Sequence, residues 1–348
     1  MREPTHRGAT VARGPRAHRL RSRRMSSRRR YELSRRLAAG GTGEVWEARV
    51  LDGPHAGRDV ALKRAIAALR DDPAVRRMLR DEARLLVTLE HPSIVRALDF
   101  GTIDGVEHVA YELVRGIDAA RAASVSAGRF ADDVGLFIVE QVAHALDHAH
   151  SRSGPDGRSL GIVHRDVCPA NILVSWEGRV LLADFGIARG AHRTDRTITG
   201  HVKGTSGYIA PEQILGDATT QAVDVYALGS TLHALLAGAP PLTSWRATSA
   251  YVGGGALPIA ASIGRDVAEL IARCCDVDAA RRPSAAEVAG ASRALRRGGD
   301  GADLLAHTFE TIREAVERRG PLDDLLAGVF DERTTLTLES ELEPEERS

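Results

Sequence analysis

With 348 residues, 43% of them apolar, and 47 basic against 47 acidic side chains, the chain can bury the core of one large domain or two moderate ones. Formal neutrality excludes a whole-chain electrostatic argument for a nucleic-acid or membrane partner, and no apolar run approaches the length of a membrane span. Three cysteines, Cys168, Cys274 and Cys275, at neither disulfide-framework nor metal-ligand spacing, point to a reducing cytoplasm.

The charge is uneven. Residues 1–30 carry eleven Arg against the single acid Glu3, and residues 331–348 carry seven acids against Arg333 and Arg347, so both ends read as solvated tails. The basic leader lacks the apolar stretch of a signal peptide. It is either a disordered arm or the residue of a misplaced start, with Met25 of "MSSRRRYEL" as the alternative. Structure is expected from Tyr31, where strand-type residues flank a glycine cluster in "YELSRRLAAGGTGEVWEARV". "DVALKRAI" predicts another strand, and "DDP" at 71–73 starts a helix with two acids near its N-terminus and Pro73 in its first turn. After Gly116 the pattern turns helical, with apolar recurrence at three and four residues over 132–151, 220–237, 266–275 and 284–296. Short strands are expected near 172–175 and 180–184. "RRGGDG" at 296–301 reads as a linker, and 302–318 as one more amphipathic helix before the acidic end. There is no internal repeat.

Candidate chemistry lies in four places. Gly40, Gly41 and Gly43 precede strand-type sequence, which argues against a dinucleotide fingerprint, where the glycines open a helix; a strand–loop–strand flap over phosphates remains, as does a plain tight hairpin. Lys63 is one of only two lysines, the other being Lys203, and it sits in an otherwise apolar strand. Glu82 falls within the apolar stripe Val75, Met78, Leu79, Leu85, Leu86 and Leu89 of the next helix, and an inward carboxylate needs a cation, so Lys63 and Glu82 form the pair to test. The bland alternative has Lys63 reaching solvent and Glu82 at the edge of the stripe. Finally, Asp166, Asn171 and Asp184 supply the oxygen ligands that hard cations take, with Asp166 left to orient a hydroxyl and accept its proton. Singly each would pass for a turn residue. Together, in this order, they are a constellation.

On these motifs the chain resembles a eukaryotic-type serine/threonine protein kinase of the kind bacteria also encode, from about Tyr31 to Leu295. The resemblance implies an α+β, bilobal protein-kinase fold with a β-rich N-lobe (31–115) and a mainly helical C-lobe (116–297), after a 1–30 leader and before a 298–348 linker, helix and tail. It makes "LAAGGTGEV" the glycine-rich loop, with Leu37 and Ala38 at its start, and "VALK" the carrier of the phosphate-anchoring Lys63, with Glu82 as its partner. Asp166 of "HRD" becomes the catalytic aspartate, with Asn171 and Asp184 as magnesium ligands. Tyr111 would be the gatekeeper, the backbone of Glu112 and Val114 would meet adenine, Asp118 would lie near the ribose, and Val45, Ala61 and Leu173 would sandwich the base. Glu212 of "APE" should pair with Arg282, and Asp224 should hold the catalytic-loop backbone from inside a helix.

Two positions depart from the family pattern. Ala38 stands where the first loop glycine is usual, and its methyl group is expected either to stiffen the flap or to alter its approach to phosphate, a modest effect because the two glycines nearer the phosphates remain. Cys168 of "VHRDVCPANIL" stands where most members have a lysine near the γ-phosphate, which removes electrostatic stabilisation. A bacterial subset with a small residue there has a similar "GIVHRDV", and Lys203 is a possible substitute cation. The thiol is either a tolerated small side chain or a redox handle. Arg165 implies control by phosphorylation of the activation segment, at Thr197 and Thr199 first and Thr194 next, with Thr205 positioning substrate. His144 and His148, four apart on a helix, lack the Glu and third ligand of a zinc site.

The expected activity is transfer of the ATP γ-phosphoryl group to Ser or Thr of proteins, with ATP and Mg2+ as cofactors. Protein substrates are the partners, with a transient homodimer for autophosphorylation and no nucleic acid. A nucleotide-binding pseudokinase scaffold is the first rival, because of Cys168. A small-molecule kinase is the second, and "APE", "DVYALG" and the "RRP" arginine together argue against it.

Overall fold

A computed structural model describes residues 27–40, 43–64, 80, 83–84, 86–103, 106–154, 156–185, 207–216, 219–297, 300–319 and 335–340. The small lobe is built from β1 (Ser27–Gly40), β2 (Gly43–Val50), β3 (Asp59–Arg64), β4 (Ala97–Ile103) and β5 (Val106–Glu112). A sixth strand, β9 (Thr335–Ser340), closes them into a barrel in the order β1-β2-β3-β5-β4-β9. The alternation of β3 decides which side chains reach the cleft. Val60 and Leu62 are buried with Tyr31, Ala48, Val50, Ile103 and Ala110 inside the small lobe, so Ala61 and Lys63 face the other way.

The large lobe is helical. It begins with β6 (Gly116–Asp118), α1 (Ala119–Val125) and α2 (Asp132–His150), and β6 forms a small sheet with β7 (Ile172–Ser175) and β8 (Val180–Leu182). Gly116 is obligatory here, because a Cβ would lie 2.1 Å from the carbonyl oxygen of Val174. There follow α3 (Pro211–Leu215), α4 (Ala222–Ala237), α5 (Trp245–Val252), α6 (Arg265–Cys274) and α7 (Ala285–Leu295). Every residue of α4 from Val223 to Leu236 is buried, as expected of a helix apolar on all faces, and Asp224 is the one acid among them. α7 starts with a capping box in which Ser284 accepts from the Glu287 N–H at 3.2 Å and the Glu287 carboxylate accepts from the Ser284 N–H at 2.7 Å. The lobes are stitched where Val95 donates to the Leu182 carbonyl (3.0 Å) and Leu182 donates to that of Ser93 (2.9 Å).

Three sequence expectations need correction at the ends. Residues 27–30 are strand rather than leader: Arg29 pairs with buried Asp99 at 3.7 Å, and Arg30 with Asp52 at 2.9 Å, so these two arginines serve the small lobe. The presumed linker is anchored, with Arg296 on the buried Glu140 at 2.6 Å and the Arg297 N–H on Asp133 at 3.0 Å. The acidic end is not wholly a solvated tail, because its residues 335–340 find two strands to pair with. The expected amphipathic helix is α8 (Gly301–Arg319), which buries Leu305, Phe309 and Ile312 against the large lobe and stacks Phe309 on Phe130. The helix expected after 71–73 lies mostly outside the described residues. Among those described, no helix is long and apolar enough to cross a membrane.

Candidate active site

The segment before β7 is held from below by one side chain. Asp224, fully buried, accepts the backbone N–H of His164 at 2.8 Å and that of Arg165 at 2.7 Å, and lies 2.8 Å from His150 Nε2. This is the role expected of Asp224. Arg165 needs it, because its φ of 66° is a left-handed conformation that a non-glycine residue holds only when its surroundings impose it. His164 is itself fully buried. Its Nδ1 accepts the Asp166 N–H at 3.3 Å and its Nε2 lies 2.9 Å from the Ala183 carbonyl, which fixes a neutral imidazole protonated on Nε2. Burial agrees, pushing the His164 pKa below its ordinary value.

Asp166, Asn171 and Asp184 converge as their order implied. The Asn171 amide nitrogen donates to the Asp166 carbonyl at 2.7 Å and to its carboxylate at 2.9 Å, so the side-chain oxygen of Asn171 is the atom that remains to meet a cation. The Ala183 N–H on the Asn171 carbonyl (2.9 Å) ties the next strand to this turn and presents Asp184 with φ 59°, a second left-handed residue in the same site. Lys63 Nζ reaches Asp184 Oδ1 at 2.6 Å. Glu82, its expected partner, lies outside the described residues. Two carboxylates, an amide oxygen and a lysine in one cleft suit a hard cation bound with phosphate oxygens, so the donor set fits magnesium and a nucleotide.

The strands bring the presumed nucleotide contacts into register. Val45 of β2 lies opposite Lys63, and Ala61 lies opposite Tyr111 of β5, so these four line adjacent strands of one sheet. Beyond Tyr111, the Glu112 N–H donates to the Arg96 carbonyl (2.9 Å) and its carboxylate accepts the Arg96 N–H (3.1 Å), which pins the connection to Val114 and Gly116. Asp118 of β6 sits opposite Leu173 of β7. Its carboxylate caps α1 by accepting the Arg121 N–H at 2.9 Å, and burial raises its pKa despite that bond. Leu37 and Ala38 lie on β1, and Gly40 pairs with Gly43 where β1 turns into β2. Gly41, Thr194, Thr197, Thr199, Lys203 and Thr205 lie outside the described residues.

Cys168 is 4% exposed and its carbonyl accepts the Asn171 N–H at 3.0 Å, so the thiol is packed inside the loop rather than displayed to solvent. Burial first, and the neighbouring Cys168 second, raise the pKa of the Tyr208 hydroxyl. Arg282 and Glu212 form the expected pair, two-pronged at 2.6 and 2.8 Å, and Arg282 also donates to the carbonyls of Ala222 and Asp276 and lies over the Tyr226 ring. Sequence reasoning missed His150, the third polar contact of Asp224, and Phe185, whose ring lies 4.6 Å from that of His164. The "HAH" that ends α2 was the available signal for His150.

The model of the protein kinase domain family matches residues 31–292. Among curated proteins, the chain is 38% identical over 236 residues to the serine/threonine-protein kinase PknA of Mycobacterium tuberculosis, covering 66% of this chain and 50% of PknA. It is 36% identical over 217 residues to the tyrosine-protein kinase MasK of Myxococcus xanthus, covering 61% of this chain and 33% of MasK. The chain thus spans half or less of the length of these relatives. The crystal structure of the Mycobacterium tuberculosis PknI kinase domain superposes with a TM-score of 0.59 at 31% identity, covering 76% of this chain and 95% of that one.

Proposed function

This chain belongs to the protein kinase family, and we propose that it transfers the γ-phosphoryl group of ATP to Ser and Thr hydroxyls of proteins. The observation that carries this reading is the Asp166–Asn171 contact beside Asp184 and Lys63: the acid, the amide, the second acid and the cation stand in one cleft. In this reading Lys63 would turn from Asp184 to the nucleotide phosphates, and Asn171 and Asp184 would hold magnesium, which would neutralise charge building on the phosphate oxygens. Asp166 orients the acceptor hydroxyl and takes its proton late in transfer, while the amide of Asn171 keeps its carboxylate aimed. Glu82 would position Lys63. Tyr111, Glu112, Val114, Val45, Ala61 and Leu173 would receive the base, and Leu37, Ala38 and the glycines Gly40, Gly41 and Gly43 would cover the phosphates. The domain would run over 31–297, with residues 27–30 added to its first strand.

Turnover with Cys168 in place of a lysine would rely on Lys63 for positive charge at the phosphates, beside the charge that a metal held by Asn171 and Asp184 would supply. Arg165 would read phosphorylation at Thr197 or Thr199, introduced by a second copy in a transient homodimer, and Thr205 would help seat the acceptor. ATP dependence and three free thiols favour the cytoplasm as the place of action. The preference for Ser and Thr rests on "GTSGYIAPE" at 204–212 and on the name of the PknA relative; MasK carries the opposite name. Labelled ATP with magnesium and a mixed protein substrate, followed by phosphoamino-acid separation, tests it. Label on Ser and Thr is expected, and label confined to Tyr would overturn the specificity. A scaffold that binds nucleotide without turnover is the second reading, favoured by Cys168.

A further inference from the structure

Residues 27–32 and 335–340, which lie next to the basic and acidic stretches of the sequence, meet in one sheet. β9 runs antiparallel to β1 in continuous register from Ser27 opposite Ser340 to Glu32 opposite Thr335. On its other side it pairs with β4, Gly101 opposite Ser340 and Thr102 opposite Glu339. Without β9 the five strands β1-β2-β3-β5-β4 would be an open sheet whose two edge strands leave N–H and C=O groups unpaired. With it, both edges are covered.

Position gives this closure a consequence. β1 runs directly into the turn between Gly40 and Gly43, so a strand along its outer edge constrains that turn at its base. β4 follows the 91–95 segment that bonds to β8 of the large lobe. The same stretch of chain carries α8, whose Leu305, Phe309 and Ile312 are buried in the large lobe. One terminal segment is therefore fastened to both lobes, by side-chain burial at one end and by backbone pairing at the other. The register also sets Arg28 opposite Glu339, between the basic and acidic ends.

We propose that residues 335–340 are an intramolecular strap: a releasable sixth strand that fastens the small lobe to a helix anchored on the large lobe and steadies the glycine turn. It is held by backbone pairing to β1 and β4, with an acid of β9 opposite a base of β1, so it is the part of the barrel expected to open first and to be loosened by salt. The strap is independent of whether the protein turns over ATP, since it rests on the fold.

Hydrogen exchange on the full-length protein tests it without any assay of activity. In a Thr337→Pro, Leu338→Pro variant the strand loses backbone donors, and the amides of 27–32 and 101–102 should exchange at least ~10-fold faster while α4 and α6 are unchanged. Arg28→Glu and Glu339→Arg should each loosen the same amides, and the two together should restore protection. Unchanged exchange in the proline variant, or no restoration in the charge swap, would overturn the strap. So would protection of 27–32 that disappears on dilution, because β9 would then be supplied by another copy.

Discussion

Asp224 and Arg165 are joined by a 2.7 Å bond from the Arg165 N–H to the buried carboxylate, and the residue so held has φ 66°. The acid sits in the core helix of the large lobe, and the strained residue directly precedes the candidate catalytic Asp166. Loss of the carboxylate should relax the backbone that aims Asp166. Asp224→Ala should lower kcat roughly 10- to 100-fold with little change in the KM for ATP. The two buried N–H groups left unpaired should cost about 2–6 kcal/mol of stability, at about 1–3 kcal/mol each. Steady-state kinetics and urea unfolding on the same preparation check this; a KM effect alone would contradict the positioning role.

Arg282 has no exposed side-chain surface and makes a two-pronged bond to Glu212. Breaking a buried pair by removing one partner strands the other charge. Glu212→Ala should therefore destabilise the protein by about 3–5 kcal/mol. Arg282→Lys should also destabilise it, because an ammonium cannot reproduce the fork or reach the carbonyls of Ala222 and Asp276. Denaturant midpoints would measure both, and a lysine variant as stable as the natural protein would show that charge alone suffices.

Stability should fall on acidification. Burial depresses the pKa of His164, and of His91 and His233, below the ordinary 6.5. For these groups the unfolded chain binds protons that the folded chain refuses, so their contribution is complete above about pH 6.5 and is lost as pH falls below it toward the folded values. Unfolding midpoints between pH 7.5 and about 5.5 should decline. His233→Gln should flatten that decline, since it removes one of the histidines whose pKa burial lowers, among them also His55. A midpoint that rises on acidification over that window would contradict the neutral, buried assignment.

All three thiols are buried, and burial pushes Cys274 up to about 12. A disulfide exchange reagent should therefore label the folded protein slowly and all three positions rapidly in denaturant. Cys168→Ser should keep phosphoryl transfer within about threefold, because a small side chain is retained in a packed loop. Fast labelling of Cys168 in the folded protein would revive its reading as a redox handle.

The sequence carried the site better than its surroundings. Asp166, Asn171 and Asp184 could be grouped because hard-cation chemistry restricts the residue types, and Asp224 stood out because an acid inside an apolar helix needs partners; the pairing of Glu212 with Arg282 came only from the family resemblance. β9 was hidden. "TLTLES" is a fair alternating strand, but it lies in an acidic run, and its partners β4 and β1 are roughly two hundred and forty and three hundred residues away, so nothing local reveals the pairing. The same holds for Asp99, a buried acid in β4 whose Arg29 partner comes from what looked like a disordered leader. α1 escaped because "AARAASV" has almost no apolar periodicity; its helix is set by the Asp118 cap and by burial of Ala119, Ala122 and Ala123.

The central claim is that this cleft performs phosphoryl transfer despite Cys168. The direct measurement is nucleotide affinity and turnover on the same full-length samples, natural and Asp166→Asn, with labelled ATP and magnesium. Equal ATP affinity is expected in both, with label transferred by the natural protein and transfer lower by at least ~100-fold in Asp166→Asn. Tight ATP binding by the natural protein with no transfer, restored by Cys168→Lys, would contradict it and make the chain a nucleotide-binding scaffold.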